Sequence, residues 1–476
     1  MHWRRWPACI LPGCQVFRRS PRVHFVGIGG IGMSGIAEVL CSLGHQVSGS
    51  DLKASDITER LQSLGVTVTT GHSVEHLGDA DVVVISSAVA ADNPEVLAAR
   101  QRRIPVIARA EMLGELMRMK SGIAVAGSHG KTTTTSLVAQ LLAEAKLDPT
   151  VIVGGKLPAL GSSARLGQGE FLVAEADESD GSFLQLSPTI AVVTNIDAEH
   201  LDHYGSMVAL ERTFVAFLSK LPFYGLAVLC SDDPVVKKLL PTIEKRTVTY
   251  GLLTGSEISA TDLEFSGLRS KFTLVVRGKT LGPVELNLPG RHNVQNALGA
   301  FAVAEFLGID FATVRKTLSE FVGPRRRFTV RGEESGVMVV EDYGHHPAEI
   351  RATLAAARAG FADRRIVVAF QPHRYSRTRD LFDEFVAAFS DAERVFVTDI
   401  YSAGEPALPG ICSASLVKKM SDRPKPEVSY VADRKELAAR LGDELRPGDL
   451  FIALGAGDIG QMCDELLSSL RGRRAR

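Results

Sequence analysis

The chain has 476 residues, 45% of them apolar and 23% charged, with a formal net charge of -1. This length suits about three domains of ordinary size. The near-zero charge excludes the basic footprint of a nucleic-acid or anionic-membrane binder, and no apolar run is long enough to span a bilayer.

Residues 1–20 hold Trp3, Trp6, two prolines and Arg4, Arg5, Arg18 and Arg19. Lacking a continuous apolar region and a cleavage site, they read as a disordered leader or a misplaced start, not as a signal peptide. The six cysteines (Cys9, Cys14, Cys41, Cys230, Cys412, Cys463) are scattered, with no Cys-x-x-Cys pair and no histidine at zinc spacing. That is the pattern of a reduced, cytoplasmic chain.

A first domain is expected over residues 21–120. A strand at 23–26 runs into Gly27-Ile28-Gly29-Gly30-Ile31-Gly32, a helix follows to Leu43, and a second strand ends at Asp51. This βαβ unit, with its G-x-G-x-x-G turn and following acid, suits a Rossmann-like, doubly wound parallel sheet. Further strands are expected at 66–70, 82–86 and 105–108. The glycine fingerprint alone says only that a phosphate-bearing ligand, NAD among others, sits on the turn.

A central domain is expected over residues 121–323. An apolar strand at 122–126 meets Gly127-Ser128-His129-Gly130-Lys131-Thr132-Thr133, and a helix-period segment follows. Glycines let backbone N–H groups close around a polyphosphate, and the new helix adds its positive end. Lys131 would reach the β- and γ-phosphates and Thr132 the Mg²⁺. Full Walker spacing asks for glycine at position 125, which is Val125, so this is the shorter G-x-x-G-K-T form. Two more strands, at 170–177 and 189–196, end in polar residues. Glu175, with Asp177, Glu178 and Asp180 beside it, either forms a solvated capping turn or offers a hard-cation ligand facing Thr132. His200 joins Glu175 in the second reading. Alternation at 258–265, 271–277 and 284–288 predicts a small antiparallel addition, followed by helices at 292–307 and 311–321. Asn293 is either a helix cap or, with Asn296 one turn on, a reader of a base edge.

A third domain is expected over residues 324–476, with strands at 337–341, 366–370, 395–398, 428–431 and 450–454. It opens on Arg325-Arg326-Arg327, either a solvated linker or an arginine closing on a γ-phosphate. The run 455–460 reads as another phosphate-friendly glycine turn. His345-His346-Pro347 has the wrong spacing for both rings to face one metal from a helix. Arg374 and Arg377, three apart, would share one helix face and grip a small carboxylate. The fold class is thus α/β: three consecutive domains with doubly wound, mostly parallel sheets, the central one of P-loop type.

These motifs together resemble the Mur ligase family, the ATP-dependent amide-forming enzymes of peptidoglycan precursor synthesis, from about Val23 to the last helix. Those carrying the likeness are VHFVGIGGIGMSGIAE, GSHGKTTTT, EADESD, PGRHNVQN, DYGHHP and FQPHRYSRT. The resemblance implies that Gly29, Gly30, Asp51, His72 and Ser86 line a UDP-sugar site, which displaces NAD. It implies that residues Gly127 to Thr133 hold ATP, that Thr132, Glu175 and His200 organise Mg²⁺, and that Asn293, Asn296, Arg327 and Asp342 lie on the nucleotide side. His345, His346, Arg374 and Arg377 would stand near the incoming amino acid and the reacting centre. The implied reaction joins L-alanine to UDP-N-acetylmuramate. The close alternative attaches a preformed tripeptide to the same UDP-sugar. Small-molecule substrates, no nucleic acid, no membrane, and a monomer or weak homodimer are expected. The lysine carbamate of several family members has no evident counterpart here, where Glu211 and Arg212 precede Phe214.

Overall fold

The computed structural model describes residues 21–86, 88–157 and 162–474; the leader expected over 1–20 lies outside them. The described residues fall into two compact units, one up to Glu115 with Ala164–Leu166, the other Leu116–Ser163 with Gly167 onward. Among the described residues no helix is long and apolar enough to cross a membrane, and the four described cysteines are free.

The first unit carries a parallel sheet of β1 (Arg22–Val26), β2 (Gln46–Asp51), β3 (Thr67–Thr70), β4 (Val82–Ile85) and β5 (Val106–Ala108) in the order 3-2-1-4-5. A strand buried on both faces must be apolar throughout, and β1 meets this with Val23, Phe25 and Val26 all essentially inaccessible. Beyond the half-exposed Arg22 at its start, its polar member His24 is equally buried and hydrogen-bonded to Ser48 and Glu95.

The second unit holds two sheets. The ten-stranded one contains β6 (Ser121–Ala126), β7 (Thr150–Leu157), β8 (Ser162–Arg165), β9 (Phe171–Glu175), β10 (Ile190–Val193), β11 (Leu226–Cys230), β12 (Thr247–Gly251), β13 (Ile258–Ser266), β14 (Arg269–Val276) and β15 (Lys279–Leu286). Their order is 15-14-13-12-11-10-6-9-7-8. Pairing is parallel from β11 to β13 and turns antiparallel through β14 and β15, so the expected antiparallel addition extends the parallel sheet. The six-stranded sheet of β16 (Thr329–Glu334), β17 (Val337–Asp342), β18 (Arg365–Phe370), β19 (Arg394–Val397), β20 (Glu427–Tyr430) and β21 (Asp449–Leu454) runs 16-17-21-18-19-20. Only β16 is antiparallel to its neighbour.

Strands β7, β8, β11, β12 and β16 and the helix Met207–Ser219 are absent from the sequence reading. β11 is five consecutive buried residues, a run whose period cannot be told from a helix segment. β15 starts at Lys279, earlier than the expected 284, because its first residues are exposed and polar on a hairpin edge. The helix Met207–Ser219 buries Phe214 and Phe217 against Phe183, which stacks on Phe217 at 4.8 Å and meets Phe214 edge-on at 5.3 Å. Phe214→Ala should destabilise the second unit by about 3–5 kcal/mol, the usual cost of such a cavity. Urea unfolding followed by fluorescence checks this, and an unchanged midpoint would contradict the packing.

Candidate functional site

Register explains why one edge of the ten-stranded sheet collects polar groups. β6 pairs with β9 so that Val125 lies beside Glu175, and with β10 so that Ala126 lies beside Val193. The glycine turn after β6, the acidic segment after β9 and the Thr194–His200 segment after β10 therefore emerge together at a carboxyl edge, where open α/β sheets gather ligands. Gly130 caps the helix Lys131–Glu144 with φ +83°, and a Cβ there would lie 2.5 Å from Oδ1 of Asn296. Glycine is required on both counts.

The turn is braced from β10. The Ser128 amide donates to the Asn195 carbonyl at 3.1 Å, and the His129 amide to Asn195 Oδ1 at 2.8 Å. Thr194 Oγ1 and Asn195 Nδ2 donate to the His129 carbonyl. Two amides of the turn are thus taken by protein, which leaves the first amides of the helix, without intrahelical acceptors, for an anion.

Lys131 folds back over the turn. Its Nζ donates to the Gly127 carbonyl at 2.5 Å, the Ser128 carbonyl at 3.2 Å and Glu178 Oε1 at 2.8 Å. Burial opposes the charge, but Glu178 outweighs it and raises the lysine's pKa. The other Glu178 oxygen is buried without a partner. Together Glu178, Glu199 and His200 place ligand atoms within 4.8 Å of one another. His200 therefore clusters with Glu178 and Glu199, and Glu175, at the end of β9, acts electrostatically on Arg327. Thr132, half-buried, follows Lys131 in the first helical turn, and Thr133 lines the cavity described below. Glu211, at the position considered for a carbamate, is ion-paired to Lys238 at 2.7 Å.

The carboxyl edge of the six-stranded sheet faces this turn within the same unit. Asp342, Phe370 and Leu454 end their strands in register. His346 caps the helix Pro347–Gly360: its Nδ1 accepts the Ala348 amide, and Glu349 returns a bond to the His346 amide. His-His-Pro-Ala-Glu is thus a capping box, and the two rings diverge as their spacing requires. His346 packs on His129 at 4.9 Å between centroids, while His345 packs on Tyr343 and His373. His129 bridges the two sheets, with Nε2 3.1 Å from Asp197 and Nδ1 3.6 Å from Glu349. Burial alone would lower its pKa, but Asp197 and Glu349 raise it to about 10, and Asp197 falls to about 2. Burial pushes His346 down, so a charged ring lies against a neutral one.

A cavity of about 310 Å³ opens beside the turn, lined by His129, Asn296, Asp232, Tyr250, Arg327 and Asp342 among others. Asn293 is not the helix cap, which is Gly290; its Nδ2 donates to the Pro289 carbonyl, and Asn296 donates to its Oδ1 at 3.2 Å. The arginine triplet divides. Arg325 is exposed, Arg326 clamps the Gly455 and Gly457 carbonyls, and Arg327 packs on Tyr343 and reaches Glu349 at 3.4 Å. Asp342 accepts the Phe328 and Gly344 amides. Arg374 caps its short helix at φ +71° and leans on Glu405, while Arg377 turns to His373 and acts on Glu199. The pair does not form one gripping face.

Two glycine turns differ from expectation. At 455–460 the Asp458 and Ile459 amides donate to Gln371 Oε1, and a Cβ on Gly457 would meet that oxygen at 2.3 Å. The side chain fills the place a phosphate would take. In the first unit the Gly29 amide donates to Asp51 Oδ2 at 2.9 Å, so the acid sits on the turn itself. Gly30 is exposed at the helix start, Ser86 follows β4, and the His72 ring is bonded to Ser50. Asp197, Glu199 and Glu349 were not singled out by the sequence, and Glu178 only as a neighbour of Glu175; Glu178, Asp197 and Glu349 gain their importance from Lys131 and His129, brought from another strand end.

Three Mur ligase family models match the chain: the family's catalytic domain over residues 22–121, the middle domain over 125–304 and the glutamate ligase domain over 326–457. The UDP-N-acetylmuramate–L-alanine ligase of Trichlorobacter lovleyi is 57% identical over 450 residues, 94% of this chain and 99% of that one. The solved UDP-N-acetylmuramate-alanine ligase of Thermotoga maritima superposes with a TM-score of 0.81 at 31% identity, covering 96% of this chain and all of the other. A murein peptide ligase from Psychrobacter arcticus shares the fold at a TM-score of 0.68 and 23% identity, over 95% of this chain and 99% of its own.

Because the folded-state pKa of His129 lies above its ordinary 6.5, its charge stabilises the fold fully below pH 6.5 and loses that effect as pH rises through about 10. The stability gap between wild type and His129→Gln should therefore shrink across this window. A gap that is constant in denaturation series from pH 6 to 10.5 would show residue 129 to be uncharged.

Proposed function

The chain belongs to the Mur ligase family, and from that premise we propose that it uses ATP to join L-alanine to the lactyl carboxylate of UDP-N-acetylmuramate. The products are UDP-N-acetylmuramoyl-L-alanine, ADP and phosphate, made in the cytoplasm for peptidoglycan synthesis. A bare carboxylate is a poor electrophile, so it first attacks the γ-phosphorus and becomes an acyl phosphate. The alanine amine then adds to the activated carbonyl, and phosphate leaves from the tetrahedral intermediate.

Two anions must meet for the first step, and preorganised positive charge is what lowers that barrier. Lys131 and the helix amides would take the β- and γ-phosphates, with Lys131 exchanging Glu178 and two carbonyls for phosphate oxygens. The residues present fit a magnesium ion: Glu178 keeps one buried oxygen unpartnered, next to Glu199 and His200. Thr132, Glu175 and His200 are the proposed holders, with Glu178 and Glu199 adjoining. The ion would supply charge neutralisation between the phosphates. Asn293, Asn296, Arg327 and Asp342 would border the nucleotide, with His346, Arg374 and Arg377 on the amino-acid side and His345 beside them.

The observation that carries this reading is the meeting of the glycine turn with the carboxyl edge of the six-stranded sheet, His129 lying between Asp197 and Glu349. A triphosphate held on one side is thereby within reach of an amine held on the other. Phosphate release measured with ATP, Mg²⁺ and UDP-N-acetylmuramate should depend on added L-alanine. Release that instead requires a murein tripeptide would favour the alternative ligase. Lys131→Ala should lose at least about 10²–10³-fold in kcat, with the KM for the UDP-sugar little changed; near-native turnover would reject the assigned site.

A further inference from the structure

Glu95 is completely buried in the first unit, yet nothing in the proposed reaction uses it. It lies in the first turn of the helix Pro94–Gln101, whose Asn93 cap accepts the Glu95 and Val96 amides. A helix start favours a negative charge. The carboxylate collects groups from four places. Oε2 accepts the Ser50 hydroxyl at 2.6 Å and faces His24 Nε2 at 3.3 Å. Oε1 accepts the Ser73 amide at 3.1 Å and faces His76 Nδ1 at 3.1 Å, with His72 Nδ1 at 3.7 Å. Burial alone would raise its pKa, but the bonds from His24, Ser50 and Ser73 bring it down to about 2, so the group is ionised.

An ionised carboxylate only accepts hydrogen bonds. The single Ser50 proton is therefore spent on Glu95, and Ser50 Oγ, 3.0 Å from His72 Nδ1, can only accept from that ring. Nδ1 of His72 must carry a proton, and in the neutral ring Nε2 is left with a lone pair. Nε2 has no hydrogen-bond partner recorded among the described residues, and the side chain is 17% exposed. By the same logic His76 donates through Nδ1 and His24 through Nε2, which leaves His24 Nδ1 to accept from Ser48. One buried charge thus sets the direction of a whole chain of hydrogen bonds.

We propose that Glu95 is a positioning residue that, through Ser50, locks His72 as its Nδ1–H tautomer and so presents Nε2 as an acceptor to a hydroxyl or amide N–H of the sugar nucleotide, not to a phosphate oxygen. The recognition half rests on the UDP-sugar reading of this unit; the tautomer does not. His72 and Glu95 therefore divide the labour: the ring meets the ligand, and the acid decides what kind of group the ring can meet. Glutamine at 95 would bring an NH₂ donor into the cluster, compete with Ser50 and release the ring.

Long-range ¹H–¹⁵N spectra of the full chain labelled in histidine, with His72→Gln for assignment, should show His72 protonated on Nδ1 and bare on Nε2 without ligand. A proton on Nε2 alone overturns the proposal. Glu95→Gln should lose the single tautomer and raise the KM for UDP-N-acetylmuramate about tenfold, what one hydrogen bond is worth, with the KM for ATP and alanine within about twofold. Glu95→Asp, which keeps the acceptor-only charge, should recover part of the loss. A folded Glu95→Gln with native KM overturns the positioning role. If Glu95→Gln does not fold, the wild-type spectrum decides. Calorimetry of wild type with UDP-N-acetylmuramate separates the two readings: no binding there, with the tautomer as stated, would remove the UDP-sugar reading and leave the proton assignment standing.

Discussion

Two cations, Lys131 and His129, lie half-buried at one glycine turn, and acids from other strand ends face them. Removing an ammonium and an imidazolium from water without counter-charges costs several kcal/mol each. Glu178 meets Lys131, and Asp197 and Glu349 meet His129. Because Glu349 belongs to the helix after β17 while His129 belongs to the turn after β6, this charge balance joins the two sheets of the second unit. Phosphate oxygens carry the same sign as these acids. In the proposed reaction the phosphates therefore compete with acids already in place for the same cations, and a metal ion would balance the added negative charge.

The glycine turns show how little a motif says until its amides are traced. The turn at Gly127–Gly130 keeps helix amides available because Asn195 takes only those of Ser128 and His129. The turn at Gly455–Gly460 looks similar in sequence, but Gln371 already fills it. The turn at Gly27–Gly32 holds the Asp51 carboxylate against the Gly29 amide. That arrangement disfavours a phosphate on the Gly29 amide, since a second anion there would face the first.

A buried carboxylate organises each unit in a different way. In the first, Glu95 directs protons through serine and histidine side chains. In the second, Glu349 accepts the His345 and His346 amides and lies beside the His345 ring, His129 and Arg327; its pKa is held well below the usual range because His345, His129 and Arg327 together outweigh the cost of burial. Both acids sit in the first turn of a helix, where unsatisfied amides and the dipole favour a negative charge. Both helices also begin with proline after a capping side chain.

Local patterns in the sequence were enough for the fold class, the glycine turn with its lysine, the antiparallel addition and most strands of the outer sheets. Each depends on spacing within a dozen residues, which the chain itself carries. The all-apolar β11 was not legible, because a run buried on every side has no period to read. Nor were the partners of Lys131 and His129, the cap made by His346, the divergence of Arg374 and Arg377, or the acid behind His72. The pairings of Lys131, His129 and His72 with their acids join residues from 23 to 220 positions apart, and only strand register and packing decide which of these side chains meet. Sequence determined what chemistry was available; the tertiary structure decided which charges face each other, because Coulombic and hydrogen-bond energies depend on distance in space and not along the chain.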